Sequence, residues 1–294
     1  MQGEGWVERA CAKINLGLKI LGKRPDGYHE ICSLVQSIDL ADVLRFERAE
    51  QNSLICSDST LPTDDSNLVL RAMALFAEQM RDAYRPYRVH LEKNVPVGAG
   101  LGGGSADAAA TLRALNILHD SPLDAEALRA LAAQLGSDIP FLVEGGTALM
   151  RGRGEDLQSL QWRGDVFYVL VYPDVVVSTA WAYAQAKPIL TDNNPYLRFI
   201  DSLSGGCVDC RDLLGVLEND FLPVVDGAYP IVATLRSHLG QAGACATSMS
   251  GSGSTVYGIF DDRTAALKAQ LELRAHGHRS FFCQPQASEQ KIQI

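Results

Sequence analysis

Five glycines fall within the seven positions Gly98-Ala99-Gly100-Leu101-Gly102-Gly103-Gly104, and Ser105 follows them directly. Backbone without Cβ atoms can bring its N–H groups together on an anion. An alanine-rich helix opening at Ser105, with Ala108, Leu112 and Leu115 on one face, adds its N-terminal N–H groups and the positive end of its dipole. The chemistry open to such a segment is phosphate binding. A flexible linker fits less well, because linkers seldom run straight into a strongly patterned helix. A Walker A loop is excluded, since no Gly-Lys-Ser/Thr ends the run. Gly98, Gly100 and Gly103 match G-x-G-x-x-G only loosely, and no acidic residue ends a second strand about 20 residues on, as a dinucleotide site requires.

Lys13 and Asn15 are the next candidates. The run Lys13 to Ile20 alternates strictly, so Ile14, Leu16, Leu18 and Ile20 share one face of a strand. Lys13, Asn15, Gly17 and Lys19 share the other, which is either solvated or turned towards a ligand. Asp138 lies between Gly136 and Pro140 and reads, by itself, as a turn or helix-capping residue. Cys207-Val-Asp-Cys210 is a lone C-x-x-C with no second Cys/His pair nearby, so it is read as incidental and the metal ligands stay unknown.

The elements that must position these residues follow from punctuation and period. Pro25-Asp26-Gly27 is a turn, Tyr28-His29 leads a strand-like run to Leu40, and Val43 to Glu47 reads as a third strand after Ala41-Asp42. Asp65-Ser66-Asn67 starts a helix, and Arg88 to Glu92 is a strand. Ser121 as N-cap, with Pro122 at the first helical position, opens a helix that Gly136 closes. The polar stretch Glu155 to Gly164 is the expected boundary between units 1–160 and 161–294. Beyond it come a strand (Phe167 to Tyr172), an irregular region (Thr191 to Asp209), helices near Leu213 to Asp220 and Tyr229 to Leu239, a strand (Val256 to Phe260) and a last helix ending near Ala275. The tail from Gln284 is expected to be partly disordered.

The chain has 294 residues, which suits two domains, and 26 Lys and Arg against 35 Asp and Glu give a net charge of −9. Such an acidic chain lacks the clustered cations of a nucleic-acid-binding face, yet backbone amides can still hold a small phosphate. The N-terminus has no apolar h-region, no stretch is apolar enough to span a membrane, and seven scattered cysteines suit a reducing compartment. The expectation is a cytoplasmic protein, or a plastid-stroma one if a transit peptide has been removed, with no nucleic-acid or membrane partner.

Taken together, Pro96-Val97-Gly98-Ala99-Gly100-Leu101-Gly102-Gly103-Gly104-Ser105-Ala106-Asp107-Ala108-Ala109 resembles the phosphate loop of the GHMP kinases. Ala12-Lys13-Ile14-Asn15-Leu16, Arg24-Pro25-Asp26-Gly27-Tyr28-His29, Leu135-Gly136-Ser137-Asp138-Ile139-Pro140-Phe141 and Ser250-Gly251-Ser252-Gly253-Ser254 follow in family order, over about residues 10 to 260. They are most similar to the branch that phosphorylates the 2-hydroxyl of 4-diphosphocytidyl-2-C-methyl-D-erythritol in the non-mevalonate isoprenoid pathway. The resemblance implies an α+β, two-domain fold, with an N-terminal half like ribosomal protein S5 domain 2 and a ferredoxin-like C-terminal half. It also implies ATP with Mg²⁺, and a cytidine-diphosphate sugar alcohol as acceptor.

The same resemblance distributes roles. Asp138 would be the general base, with Lys13 beside it to offset developing charge. Gly98, Gly100, Leu101, Gly102, Gly103, Gly104 and Ser105 would cradle ATP phosphates, with Ser105 or Asp107 near the metal and Asn67 and Lys93 lining the adenine pocket. Asn15, Tyr28, His29, Ser250 and Gly251 would meet the acceptor, Ser252 and Gly253 would help close the site, and either Tyr183 or Trp181 would stack on the base. Ala106 stands where the family often has a second serine, and Ser254 where a proline is more usual. The alternatives are another GHMP kinase, such as a homoserine kinase, or a nucleotide-binding module without turnover. A monomer and a homodimer are both open.

Overall fold

The alternation of Ile14, Leu16, Leu18 and Ile20 belongs to a strand much longer than the pattern itself, β1 (Trp6–Lys23). It turns through residues 24–28 and pairs antiparallel along nearly its whole length with β2 (His29–Arg48). The structure, a computed structural model, describes residues 5–187, 193–203 and 206–288. β3 (Ser53–Cys56), α1 (Leu68–Met80), β4 (Tyr87–Glu92), α2 (Gly103–Leu118), α3 (Ala125–Ala133) and α4 (Ile139–Glu144) come next, then β5 (Thr147–Gly152) and β6 (Asp156–Arg163). β7 (Phe167–Tyr172) opens the second half, followed by α5 (Thr179–Gln185), α6 (Pro195–Ser202), β8 (Cys207–Asp209), α7 (Cys210–Leu214), α8 (Leu222–Ala228) and α9 (Pro230–Gln241). The chain closes with β9 (Ala246–Met249), β10 (Val256–Phe260), α10 (Arg263–Ala275) and β11 (Arg279–Cys283).

Two sheets result. The larger runs β3-β4-β2-β5-β6-β8, with β1 on the other edge of β2. The smaller runs β11-β7-β10-β9, all antiparallel. Two β-α-β units spliced into that order make the smaller sheet ferredoxin-like. Period-2 packing ties the layers together. Val35 and Leu44 face the core under α1 to α4, whereas Ile14, Leu16 and Leu34 face Tyr168, Leu170 and Tyr257 of the smaller sheet. Val169 and Val171, one residue out of phase with Leu170, point to the opposite face and meet α8, α9 and α10. The order is helices, sheet, sheet, helices.

Several sequence expectations are corrected. The strands expected at Tyr28 to Leu40 and Val43 to Glu47 are one strand, β2, because Asp42 is fully buried and fully partnered rather than a turn residue. α2 opens at Gly103, not Ser105, from Gly102 in the left-handed conformation. The cap of α3 is Asp124, accepting from the Ala127 N–H (2.8 Å), rather than Ser121, and α3 ends at Ala133, ahead of Gly136. The helix expected near Leu213 to Asp220 is the shorter α7, and the region taken as irregular contains α6 and β8. The polar stretch Glu155 to Gly164 is largely β6, so the chain crosses between sheets only at residues 164–166. The tail is not loose up to Ser288: Pro285 and Ser288 bridge to Ile38 and Gly145. Residues 289–294 of that tail, and 191–192 and 204–205 of the irregular region, lie outside the described residues.

Candidate active site

β1 carries the first charged group. The Lys13 N–H donates to Leu101 O (3.0 Å), so the strand edge itself holds the glycine loop. The Lys13 ammonium lies 3.3 Å from Asp138 Oδ2, with the lysine side chain 7% and the aspartate side chain 38% exposed. It also donates to Asn15 Oδ1 (2.7 Å), and Asn15 Nδ2 donates to Ser33 Oγ (2.8 Å). The supposed polar face of β1 is thus buried: Lys13 and Asn15 are each 5% exposed and Lys19 1%. Lys19 is matched by Glu218 (2.7 Å) and Asp220 (2.8 Å). Asp138 occupies the residue before α4, yet its side chain caps nothing, which leaves the carboxylate for Lys13 and the cleft.

The glycine loop ends in α2, whose first N–H groups have neither intrahelical acceptors nor a side-chain cap. Gly98, Gly100 and Gly102 adopt positive φ of 66°, 78° and 70°. Two of these are also close approaches. A Cβ on Gly102 would sit 3.3 Å from the Lys13 stem, and one on Gly100 would sit 2.8 Å from Gly253 O and nearer still to Ser250 O. Gly100 therefore lets the two glycine-containing loops interlock. The Ser250 hydroxyl fastens them, donating to Gly100 O (2.8 Å) and accepting from the Asn15 N–H (3.2 Å). Asn219 holds the second loop, donating to Met249 O (2.7 Å) and Gly251 O (2.9 Å).

A cleft of about 1000 Å³ runs along these groups. Lys13, Asn15, Asp138, Asn67, Lys93 and Ser105 line it. So do Gly98, Gly100, Gly102, Gly103, Gly104 and Gly251, while Leu101 packs behind, 1% exposed. At its far end stand Tyr28, His29 and Tyr183. The His29 and Tyr183 rings stack at 4.7 Å, and Tyr183 meets Phe221 edge-on at 4.8 Å. Burial, with the charge of Asp138 adding to it, pushes the Tyr183 phenol up to about 12, so it is a neutral ring at ordinary pH. Trp181 is turned away against Tyr229. Tyr28 is 54% exposed, with the Arg153 guanidinium 4.9 Å over its ring.

Not all the expected residues present a free group. Asn67 caps α1, accepting from the Val69 N–H (2.9 Å) and donating to Pro62 O (2.8 Å). Lys93 lies between Asp42 (2.5 Å) and Asp107 (2.7 Å) beneath the start of α2. Burial pulls its ammonium down, but the two carboxylates outweigh that and hold it above its usual range. One ammonium cannot neutralise two buried carboxylates. Asp42 accepts two backbone N–H groups, whereas Asp107 Oδ1 has no partner, and burial raises the Asp107 carboxyl to about 7. Sequence reasoning did not single out Asp42, Asn219 or Arg153. None sits in a motif, and each acts through a partner distant in sequence.

The two halves of this arrangement match family models, those of the GHMP kinase N-terminal domain over residues 67–146 and the GHMP kinase C-terminal domain over residues 209–279. A protein of Chlorobium limicola named 4-diphosphocytidyl-2-C-methyl-D-erythritol kinase is 39% identical over 282 residues, covering 95% of this chain and 97% of its own length. The chain belongs to the GHMP kinase family. A second relative of this GHMP kinase, from Gloeobacter violaceus and with the same name, is 42% identical over 95% of this chain and 93% of its own. A crystal structure of 4-(cytidine 5'-diphospho)-2C-methyl-D-erythritol kinase superimposes with a TM-score of 0.79 at 32% identity, covering 96% of this chain and all of that one. Homoserine kinase from Cytophaga hutchinsonii superimposes with a TM-score of 0.72 at 18% identity over 98% and 97% of the two chains, which is a likeness of fold. The two-domain GHMP kinase fold thus brings a Lys–Asp pair, a glycine-rich loop at the start of a helix and three aromatic rings into one cleft. Among the described residues no helix is long and apolar enough to cross a membrane.

Proposed function

We propose that this GHMP kinase transfers the γ-phosphate of ATP to the 2-hydroxyl of 4-diphosphocytidyl-2-C-methyl-D-erythritol, with Asp138 as general base. The observation that carries the reading is the 3.3 Å Lys13–Asp138 pair, set where β1 grips the glycine loop and open to the cleft on the Asp138 side. The hydroxyl gives its proton to Asp138 as it attacks, and Lys13, fixed by Asn15, offsets charge developing on the transferred group. The loop amides and the α2 N-terminus hold the phosphates, and Ser250 keeps the second loop closed over them. Tyr28, His29 and Tyr183 offer faces and an edge for a cytosine ring. Asn15 serves to hold Lys13, and Lys93 and Asn67 shape the nucleotide pocket from beneath.

Mg²⁺ fits this site in one way. Among the described residues no three carboxylate, thiol or imidazole groups gather as a cage. A magnesium ion that takes phosphates and waters as most of its ligands needs only one or two protein oxygens. The Ser105 hydroxyl lines the cleft and suits that part, whereas Asp107 is buried against Lys93. When bound, the ion supplies charge neutralisation on the β- and γ-phosphates. On this reading the halves 1–160 and 161–294 are the two walls of the cleft, and the enzyme works in the cytoplasm or a plastid stroma on small molecules.

The test is ADP release with four acceptors: the cytidylyl sugar alcohol, homoserine, mevalonate and galactose. Turnover with the first alone is expected. Faster turnover with any of the other three overturns the acceptor assignment.

A further inference from the structure

Behind the segment that leads from β4 to the glycine loop, the two halves of the chain meet in a second cleft of about 580 Å³. It shares no lining residue with the candidate active site. Arg9, Asp39 and Asn94 line it from the side of the larger sheet, and Arg274 of α10 and Arg279 of β11 from the side of the smaller. Three guanidinium groups and one carboxylate thus share one cleft, in a chain whose net charge is −9. One oxygen of the Asp39 carboxylate, Oδ1, accepts the Gln284 N–H at 2.9 Å. Among the described residues none of the three arginines has a carboxylate within ion-pair distance. Arg9 donates to the backbone O of Asp39 (2.7 Å), and Arg279 lies over the rings of Phe281 (5.7 Å) and Tyr172 (5.9 Å). A guanidinium lying over a ring keeps the N–H groups along its edge for another acceptor.

Planar guanidinium forks match phosphate oxygens two at a time. We propose that this seam cleft binds a small phosphate-bearing anion, held by Arg9 on one wall and by Arg274 and Arg279 on the other. Such a ligand ties the two halves together, so it stabilises the folded chain by mass action. Asn94, next to Lys93 on the segment that feeds the glycine loop, lines the cleft with its side-chain amide donating to Ala41 O (3.2 Å).

Inorganic pyrophosphate is the probe. The protein is first saturated with a non-hydrolysable ATP analogue, whose own binding is recorded, so a failure at the candidate active site is seen separately. Pyrophosphate is then titrated by calorimetry into wild type, Arg9→Ala and the double variant Arg274→Ala/Arg279→Ala, with AMP titrated in parallel to separate free diphosphate from a nucleotide phosphate. One pyrophosphate site is expected in wild type, with affinity lower by roughly tenfold or more in both variants and a pyrophosphate-induced rise in melting temperature that both variants lose. Equal binding by wild type and the double variant overturns the proposal, as does the absence of wild-type binding at millimolar pyrophosphate. Should Arg9→Ala fold poorly, the double variant decides alone, since Arg274 and Arg279 are exposed.

Discussion

Replacing Gly100 by Ala tests whether the interlock of the two loops organises the cleft. Gly100 has a φ of 78°, and an L-residue held in that region costs about 1–2 kcal/mol. The new methyl would lie 2.8 Å from Gly253 O and closer to Ser250 O, against ordinary non-bonded separations of roughly 3.5 Å. Relief requires one loop to withdraw by something on the order of 1 Å, a displacement that can cost about 10²-fold in rate. The Ser250 hydroxyl, which now donates to Gly100 O, would be pulled from its acceptor. ADP release with both substrates varied should give kcat/KM about 10²-fold below wild type, with unfolding stability lower by about 1–3 kcal/mol in urea. Gly104→Ala is the control. Its methyl would meet only Leu68 Cδ1, at 3.8 Å, within α2, so it should leave stability unchanged or raise it by about 0.5–1 kcal/mol. Gly100→Ala turning over within about threefold of wild type, a difference under 1 kcal/mol, would refute the interlock argument.

Tyr28→Ala should raise KM for the cytidylyl acceptor by roughly 10- to 100-fold while leaving KM for ATP alone, from about 1–3 kcal/mol of lost base stacking; a larger change in the ATP KM contradicts the assigned end of the cleft. Lys93→Met should cost about 3–5 kcal/mol in urea unfolding, because it leaves Asp42 and Asp107 buried without their shared cation. The Asp107 carboxyl, raised to about 7 by burial, binds a proton in the native state that the unfolded chain releases near the ordinary carboxylate range. That group therefore favours folding most at acid pH and loses its contribution as pH rises towards 7. Asp107→Asn should lose less stability than wild type between about pH 5 and 7.5, and parallel curves for the two proteins would contradict this.

The sequence was most legible where one physical rule acted alone. Val256 to Phe260 and Phe167 to Tyr172 are the strands their apolar runs predict, and Asp262 caps α10 as its side-chain type allows. The glycine run was legible because only a close backbone approach and positive φ require so many missing Cβ atoms. Ala41-Asp42 misled because an aspartate inside a strand is paid for by tertiary partners, Lys93 and the N–H groups of Asn94 and Val95, that lie some fifty residues away. Ser121 misled for a local reason: Asp124 competes for the same helix end and wins, and Ser121 itself takes a φ of 54°. The polar side of β1 could not be judged from alternation, since period 2 separates two faces without saying that the second is covered too, by Asp138 and Ser33 at Lys13 and Asn15 and by Glu218 and Asp220 at Lys19. Arg153 was invisible because its contact with Tyr28 depends on β5 lying beside β2.

The central claim is that the Asp138 carboxylate takes the acceptor proton. Single-turnover phosphoryl transfer by Asp138→Asn, with ATP, Mg²⁺ and saturating cytidylyl acceptor, tests it most directly. Asn keeps a side-chain oxygen for the Lys13 ammonium, which Asn15 Oδ1 also holds, and the residue caps no helix, so the variant should fold, with its stability read alongside by urea unfolding. The account predicts transfer slower by about 10²-fold or more in the folded variant. Transfer at the wild-type rate would contradict it.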